Sequence, residues 1–174
     1  MEFERVTTAS HHPLYQDALA LYRASFPPHE QREAASQQAI LRNEAYHFDL
    51  LLDAGEWVGE ALYWDAGDFL YLEHFCIRPE LRNRRYGQKA LEVLCRRPLI
   101  LEIDPPVDEI SIRRKGFYER CGLAANPYPH VHPPYHAGNR GHDLVLMTAP
   151  RQITSQEFDE FTQFLRGVVM KDVY

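Results

Sequence analysis

Hydrophobic positions follow a period of about two in some stretches and about 3.6 in others, and the alternation lays out a chain of elements. Glu2 to Val6 predicts a short strand. From Leu14 to Phe26 the apolar residues Leu14, Ala18, Leu21, Tyr22 and Phe26 form a helical stripe, which Pro27 and Pro28 end. A more polar helix is expected over Glu30 to Asn43, carrying Ala35, Ile40 and Leu41. Three strand-like runs follow, His47 to Leu52, Trp57 to Trp64 and Phe69 to Ile77. The turns Asp53-Ala54-Gly55 and Asp65-Ala66-Gly67 separate them and predict an antiparallel meander.

Pro79 and Glu80 stop the third run, after which Ala90, Leu91 and Leu94 recur at helical spacing. Pro98 to Ile103 (PLILEI) is a short apolar run that suits a buried strand parallel to a neighbour and reached through that helix; Pro105 and Pro106 end it. Asp108 is placed to cap a helix through Arg120, Gly122 to close it, and Leu123 to open a short strand. Tyr128 to Arg140 is a proline-rich loop and Asp143 to Thr148 a last strand. Beyond Pro150, Ser155 to Val169 predicts an amphipathic helix with Phe158, Phe161, Phe164 and Leu165. The pattern is that of an α/β (α+β) domain with a mixed, mostly antiparallel central sheet flanked by helices.

Composition narrows this picture. A chain of 174 residues, 45% hydrophobic and 12% aromatic, is large enough for one domain with a real core. No run approaches a membrane span, and the start MEFERVTTASHH lacks an apolar signal core, so a cytoplasmic location is the default expectation. Cys76, Cys95 and Cys121 have neither disulfide nor metal spacing. The formal charge is −6, yet Arg78, Arg82, Arg84, Arg85, Lys89, Arg96, Arg97, Arg113, Arg114, Lys115 and Arg120 make 11 of the 19 basic residues. That concentration points to a discrete anionic ligand rather than to nucleic acid, which generally wants a broad basic face.

The clearest local signal lies between the Phe69 strand and the helix that follows. A helix start leaves unpaired N–H groups and partial positive charge, which suits phosphate. Gly87 lets a ligand approach the backbone, and Arg82, Arg84 and Arg85 add full charges. The expectation is a pyrophosphate-binding turn.

Arg82-Asn83-Arg84-Arg85-Tyr86-Gly87 resembles the acyl-CoA signature of the GCN5-related N-acetyltransferases (GNAT), (Q/R)-x-x-G-x-(G/A). Arg82 matches the first position and Gly87 the last, with Arg85 where the family usually has glycine. A second motif, Gly116-Phe117-Tyr118-Glu119-Arg120-Cys121-Gly122-Leu123, is similar to the family signature ending FYxxxGF. Asp104-Pro105-Pro106, the run from Arg113 to Arg120 and Pro133-Pro134-Tyr135 resemble a bacterial subgroup of the same family.

The resemblance implies an acyltransferase domain over residues 1–150 and a C-terminal helix over 151–174, either packed on the domain or pairing two copies of the chain. It implies acetyl-CoA as cosubstrate, a small amine as acceptor, and no metal, membrane or nucleic-acid partner. Cofactor contacts are expected from Phe75, Cys76, Ile77, Arg82, Arg84, Arg85, Tyr86, Gly87, Gln88, Lys89, Arg113 and Phe117. Acceptor contacts are expected from Phe26, Tyr71, Glu102 and Tyr135. By the same resemblance Tyr118 points at the thioester sulfur and protonates the leaving thiolate. A non-catalytic acyl-CoA-binding domain and an enzyme acting on protein or peptide amines are the competing readings.

Glu73 is the expected base. Strict alternation puts it on one strand face with Tyr71, Phe75 and Ile77, where burial would raise its pKa; His74 falls on the other face. The alternative for Glu73 is a charge paired with an arginine. A base is needed because an alkylamine of pKa ~10.4 lies about 3.4 units above neutrality, roughly 4.6 kcal/mol from its reactive form. Cys76 has no paired base in sequence and is not the expected nucleophile. The histidines 130, 132, 136 and 142 lack a carboxylate or cysteine complement for zinc, and the loop is read either as an active-site lid with Tyr128, His132 and Tyr135 or as a plain surface loop.

Overall fold

The computed structural model describes residues 1–7, 12–171 and 173. Residues 8–11 of the N-terminal start, and residues 172 and 174 of the C-terminal segment, lie outside the described residues. Eight strands form one sheet in the order β1-β2-β3-β4-β5-β8-β6, with β7 added beside β8. The strands are β1 (Glu2–Arg5), β2 (Tyr46–Asp53), β3 (Glu56–Asp65), β4 (Leu70–Ile77), β5 (Leu99–Ile103), β6 (Ala124–Ala125), β7 (His130–His132) and β8 (His142–Ala149). Among the described residues only β4 and β5 pair in parallel.

Helices cover both faces, as a sheet with two apolar sides requires. On one face α1 (Tyr15–Ser25), α2 (Ala34–Ile40) and α5 (Ser155–Phe164) bury Tyr22, Leu41 and Phe161 against Phe48, Trp64 and Tyr71. On the other, α3 (Tyr86–Leu94) and α4 (Glu109–Arg120) bury Leu91, Leu94 and Tyr118 against Leu72, Leu99 and Leu101. Asp108 caps α4 as expected, accepting from the N–H groups of Ile110 and Ser111, and Gly122 closes the helix at φ +90°.

Four expectations need correction. The helix predicted over Glu30 to Asn43 is interrupted. A 3₁₀ turn at Pro28–Glu30 is followed by extended chain, and α2 begins only at Ala34. Side-chain bonds explain the break: Gln31 Nε2 donates to the Phe26 carbonyl (2.6 Å), and the Arg32 N–H donates to the Tyr22 hydroxyl (2.9 Å). The two Asp-Ala-Gly turns also differ. Ala54 and Gly55 form a two-residue hairpin with φ of 52° and 80°, whereas Asp65 pairs with Leu70 across a longer loop. The proline-rich loop contains β7, which pairs with β8 from His130–Leu144 to His132–His142. Finally, α5 ends at Phe164 and continues as a wider π turn over Leu165–Val169.

The fourth strand carries the feature that matters most for the site. In the β3–β4 ladder Leu62 faces His74 and Tyr63 faces Leu72, so Glu73 is an extra, bulged residue. The bulge turns the side chains over. Glu73 and His74 both lie on the α1 and α2 side, bonded to Arg32 and to the Glu30 carbonyl, while Phe75 and Ile77 join the α3 and α4 side. Strict alternation had put Glu73 with Phe75 and Ile77, and His74 opposite; one inserted residue reverses that.

Candidate active site

β4 and β5 pair only over Leu70–Leu72 and Leu99–Leu101. Beyond that point they diverge, and a cleft of about 910 Å³ opens between them. Its walls are Leu72 to Ile77 of β4 and Leu101 to Asp104 after β5, with the start of α3, one face of α4, and the α1 end at Ser25 and Phe26.

At one end stands the basic turn. Arg82, Arg85, Tyr86, Gly87 and Gln88 line the cleft, and Arg113 and Phe117 face them from α4. Arg85, at the N-cap of α3, has φ 64° and offers no side-chain cap, in contrast to the capping boxes of α4 and α5. The first N–H groups of α3 are therefore left for another acceptor. A Cβ on Gly87 would come within 3.2 Å of Phe117, which accounts for glycine at this approach. The Arg82 Nε braces the turn by donating to the Ile77 carbonyl (3.2 Å). Two expected residues are not brought in: Arg84 and Lys89 lie off the lining, and Lys89 pairs with Asp53 at 2.8 Å.

Tyr118 stands on the cleft wall, 9% exposed, and its hydroxyl makes no hydrogen bond to another described residue. Burial pushes its pKa up to about 12, so the phenol stays protonated at neutral pH and has a proton to give. Cys76 is buried, and burial drives its thiol well above the ordinary range.

The far end holds a buried polar cluster. Glu73 Oε1 accepts from Arg32 Nε (3.1 Å), Arg32 Nη2 (2.9 Å) and the Tyr135 hydroxyl (2.9 Å), and Oε2 accepts from Trp64 Nε1 (2.7 Å). Arg32 Nη2 also donates to the Val169 carbonyl at 2.7 Å, which ties the C-terminal turn to the pair. Burial alone would raise the Glu73 pKa, as expected from sequence. The Arg32 guanidinium, His74, Trp64 and Tyr135 outweigh it and hold the carboxyl below its usual range. The expected rise of the Glu73 pKa is therefore not found; the carboxyl is paired with an arginine, as in the alternative.

Glu102 forms the second half of the cluster. It accepts from the Tyr71 hydroxyl (2.6 Å) and from His130 Nε2, and His132 Nε2 lies 3.8 Å away. Burial pushes its pKa up, and His132, His130 and Tyr71 together bring it below the ordinary value. Phe26, Glu102 and Tyr135 line the cleft as expected of acceptor contacts; Tyr71 does not, because its ring lies behind Glu102 against Phe161, with centroids 5.3 Å apart. Sequence reasoning missed Arg32, which no local signal marks, and did not place His132 beside Glu102. Among the described residues no group of three or more His, Cys, Asp or Glu side chains is placed to hold a metal ion, and no helix is long and apolar enough to cross a membrane.

Residues 11–123 match the acetyltransferase (GNAT) family. A structure from Bacteroides thetaiotaomicron, assigned to the acetyltransferases of that family, is 32% identical over 98% of each chain, with a TM-score of 0.91. An aminoglycoside 6'-N-acetyltransferase from Enterococcus faecium shares the fold at 16% identity, covering 88% of this chain and 100% of its own, with a TM-score of 0.54. A ribosomal-protein alanine N-acetyltransferase from Escherichia coli does so at 18% identity, over 89% and 96%, with a TM-score of 0.52. Comparison with curated proteins gave no match. The splayed strands, the basic helix start and the match over residues 11–123 lead to one assignment: this chain belongs to the GNAT family of acetyltransferases.

Proposed function

We propose that the chain transfers an acetyl group from acetyl-CoA to a primary amine of a small molecule by direct attack, with no acyl-enzyme. The observation that carries this reading is the divergence of β4 from β5, which leaves a cleft running from the uncapped start of α3 to the Glu73–Glu102 cluster. The N–H groups of α3 beside Gly87, with Arg82, Arg85 and Arg113, would hold the diphosphate. Past Leu72, β4 has no partner strand on its β5 side, so its main chain can pair with an amide-bearing arm. Phe75, Ile77 and Phe117 supply apolar contact. Tyr118 donates its proton to the departing sulfur, and the N–H groups around the β4 bulge stabilise the developing oxyanion. Phe26, Glu30, His132 and Tyr135 enclose the acceptor end, which suits a compact amine. Glu73 serves as an ionised anchor for Arg32 and Tyr135 rather than as the base.

The test is thiol release from acetyl-CoA with a polyamine, an aminoglycoside, an amino acid and a lysine peptide, alongside calorimetry with CoA. Turnover with a small amine is the expected result. CoA binding with no turnover on any amine would leave an acyl-CoA-binding module instead, and turnover on the peptide alone would make the acceptor a protein. Tyr118→Phe is expected to lower kcat about 10–100-fold with CoA affinity unchanged.

Arg85→Gly tests the turn. Glycine relieves the left-handed backbone at φ 64° but costs chain entropy, so folding stability should stay within about 1 kcal/mol. CoA affinity should fall roughly 3–10-fold through loss of one phosphate-facing charge, read by calorimetry at low salt.

A further inference from the structure

The two buried carboxylates at the acceptor end are joined through Tyr135 and His132. Tyr135 has one O–H, and it donates to Glu73 Oε1 at 2.9 Å. His132 Nε2 lies 3.3 Å from the same oxygen, which accepts from it when Nε2 carries a hydrogen and can donate to it when Nε2 is bare. His132 Nδ1 lies 2.6 Å from the Pro133 carbonyl, which can only accept, so Nδ1 carries a hydrogen. His132 Nε2 thus sits between the Glu102 carboxylate, 3.8 Å away, and the Tyr135 hydroxyl, while Arg32 balances Glu73.

Glu73 is ionised but fully enclosed, its side chain 0% exposed and its oxygens occupied by Arg32, Trp64 and Tyr135. Glu102 is similarly held by Tyr71 and His130. Neither is free to take a proton from a substrate. Tyr135 and His132 both line the cleft, and the hydrogen bond between them can reverse. With Nε2 bare, the Tyr135 O–H can turn from Glu73 to His132.

We infer that Tyr135 and His132, backed by Glu102, form the relay that deprotonates the acceptor ammonium. The inference rests on the acetyltransferase reading. With His132 neutral, the ammonium N–H bond breaks toward the Tyr135 oxygen while the Tyr135 proton passes to His132 Nε2. This forms an imidazolium opposite Glu102 and leaves a free amine. After attack on the thioester carbonyl, the nitrogen sheds its second proton as the carbon–sulfur bond breaks, and Tyr118 protonates the sulfur. One of the two nitrogen protons restores Tyr118 through water; the other, held on His132, is the net proton released. Tyr135 touches the acceptor, and His132 and Glu102 act through it. The charged and titratable groups around His132 are Glu30 before α2, His74 on β4, Glu102 on β5, His130 on β7 and His142 on β8, with Arg32 and Glu73 on the far side of Tyr135.

Two measurements test the relay. In the first, kcat/KM is followed against pH for the wild type, His132→Gln, Tyr135→Phe and the double variant, using the best amine of the panel. The wild type should show a rising limb from an imidazole in addition to the limb of the amine. His132→Gln should lose that limb and fall about 100-fold near neutrality; Tyr135→Phe should fall similarly, and the double variant no further than either. Tyr135→Phe keeps the ring, so it stands if His132→Gln folds poorly. The second measurement needs no acceptor: histidine-selective ¹⁵N NMR should show the His132 Nε2 resonance moved by Tyr135→Phe, as a hydrogen bond between that nitrogen and the Tyr135 oxygen requires. Calorimetry should show acetyl-CoA binding to the wild type and both single variants alike. A His132→Gln profile that superposes on the wild type, or an Nε2 resonance that Tyr135→Phe leaves unmoved, would overturn the relay and leave the acetyltransferase reading standing. Absence of acetyl-CoA binding to the wild type would overturn both.

Discussion

Alanine at Glu73 is expected to cost about 3–5 kcal/mol of folding stability, because it leaves a buried guanidinium with no counter-charge. Arg32 is 4% exposed, keeps its proton at any accessible pH, and would be left beside Trp64 and Tyr135 with only the Val169 carbonyl as acceptor. Removing the other partner should hurt less. In Arg32→Met the stranded Glu73 can neutralise itself by taking up a proton, so the loss should shrink as the pH falls. The wild type should do the opposite. Its Glu73 and Glu102 both have folded pKa values below those of free carboxylates, so their contribution is complete above the unfolded value of about 4.3 and is lost as the pH falls through the folded values. Urea titration at neutral pH and at about pH 5 compares the two variants, and carried below about pH 4 it reads the wild-type loss. Equal losses for Glu73→Ala and Arg32→Met at both pH values would show that the pair is not charged in the fold.

The reason this pair was invisible in the sequence is separation. Arg32 and Glu73 are 41 positions apart, and Tyr135 and Glu73 are 62 apart. Signals that act within one turn or one strand were readable: the Asp108 cap, the Gly122 stop, and the run from Phe69 whose parallel partner begins at Leu99. The same holds for the basic turn, where Gly87 and the arginines stand next to one another. What failed depends on how two strands meet. The bulge at Glu73 comes from its ladder with β3, and it decides which side of the sheet each following residue occupies. His130 to His132 joins the sheet only because β8 offers an edge, in a segment whose prolines read as loop. The helix expected at Glu30 was likewise lost to tertiary bonds from Gln31 and Arg32, which outcompete a modest helical tendency.

A carboxyl with a raised pKa does exist beside this cleft, one strand away from the expected one. Glu60, in the apolar run of β3, is 0% exposed, and its Oε2 has no hydrogen-bond partner. Its Oε1 meets only the Cys76 thiol at 3.5 Å across the β3–β4 ladder. Burial pushes its pKa up to about 8. An acid among Val58, Ala61 and Leu62 on a strand buried on both faces was a readable signal of this. The sign of the linkage follows directly. A carboxyl whose folded pKa exceeds its unfolded value favours the fold while protonated, and that advantage is lost as the pH rises from the unfolded pKa toward the folded one. Between pH about 4.5 and 8, Glu60 should therefore drain stability, by about 3 kcal/mol at neutrality on the scale of 1.36 kcal/mol per unit. Glu60→Gln removes the ionisation and should flatten that decline, ending more stable than the wild type at about pH 8 and close to it at about pH 5. Thermal unfolding across this range reads the difference, and parallel curves for the two proteins would mean that Glu60 is charged at neutrality and paired in the fold.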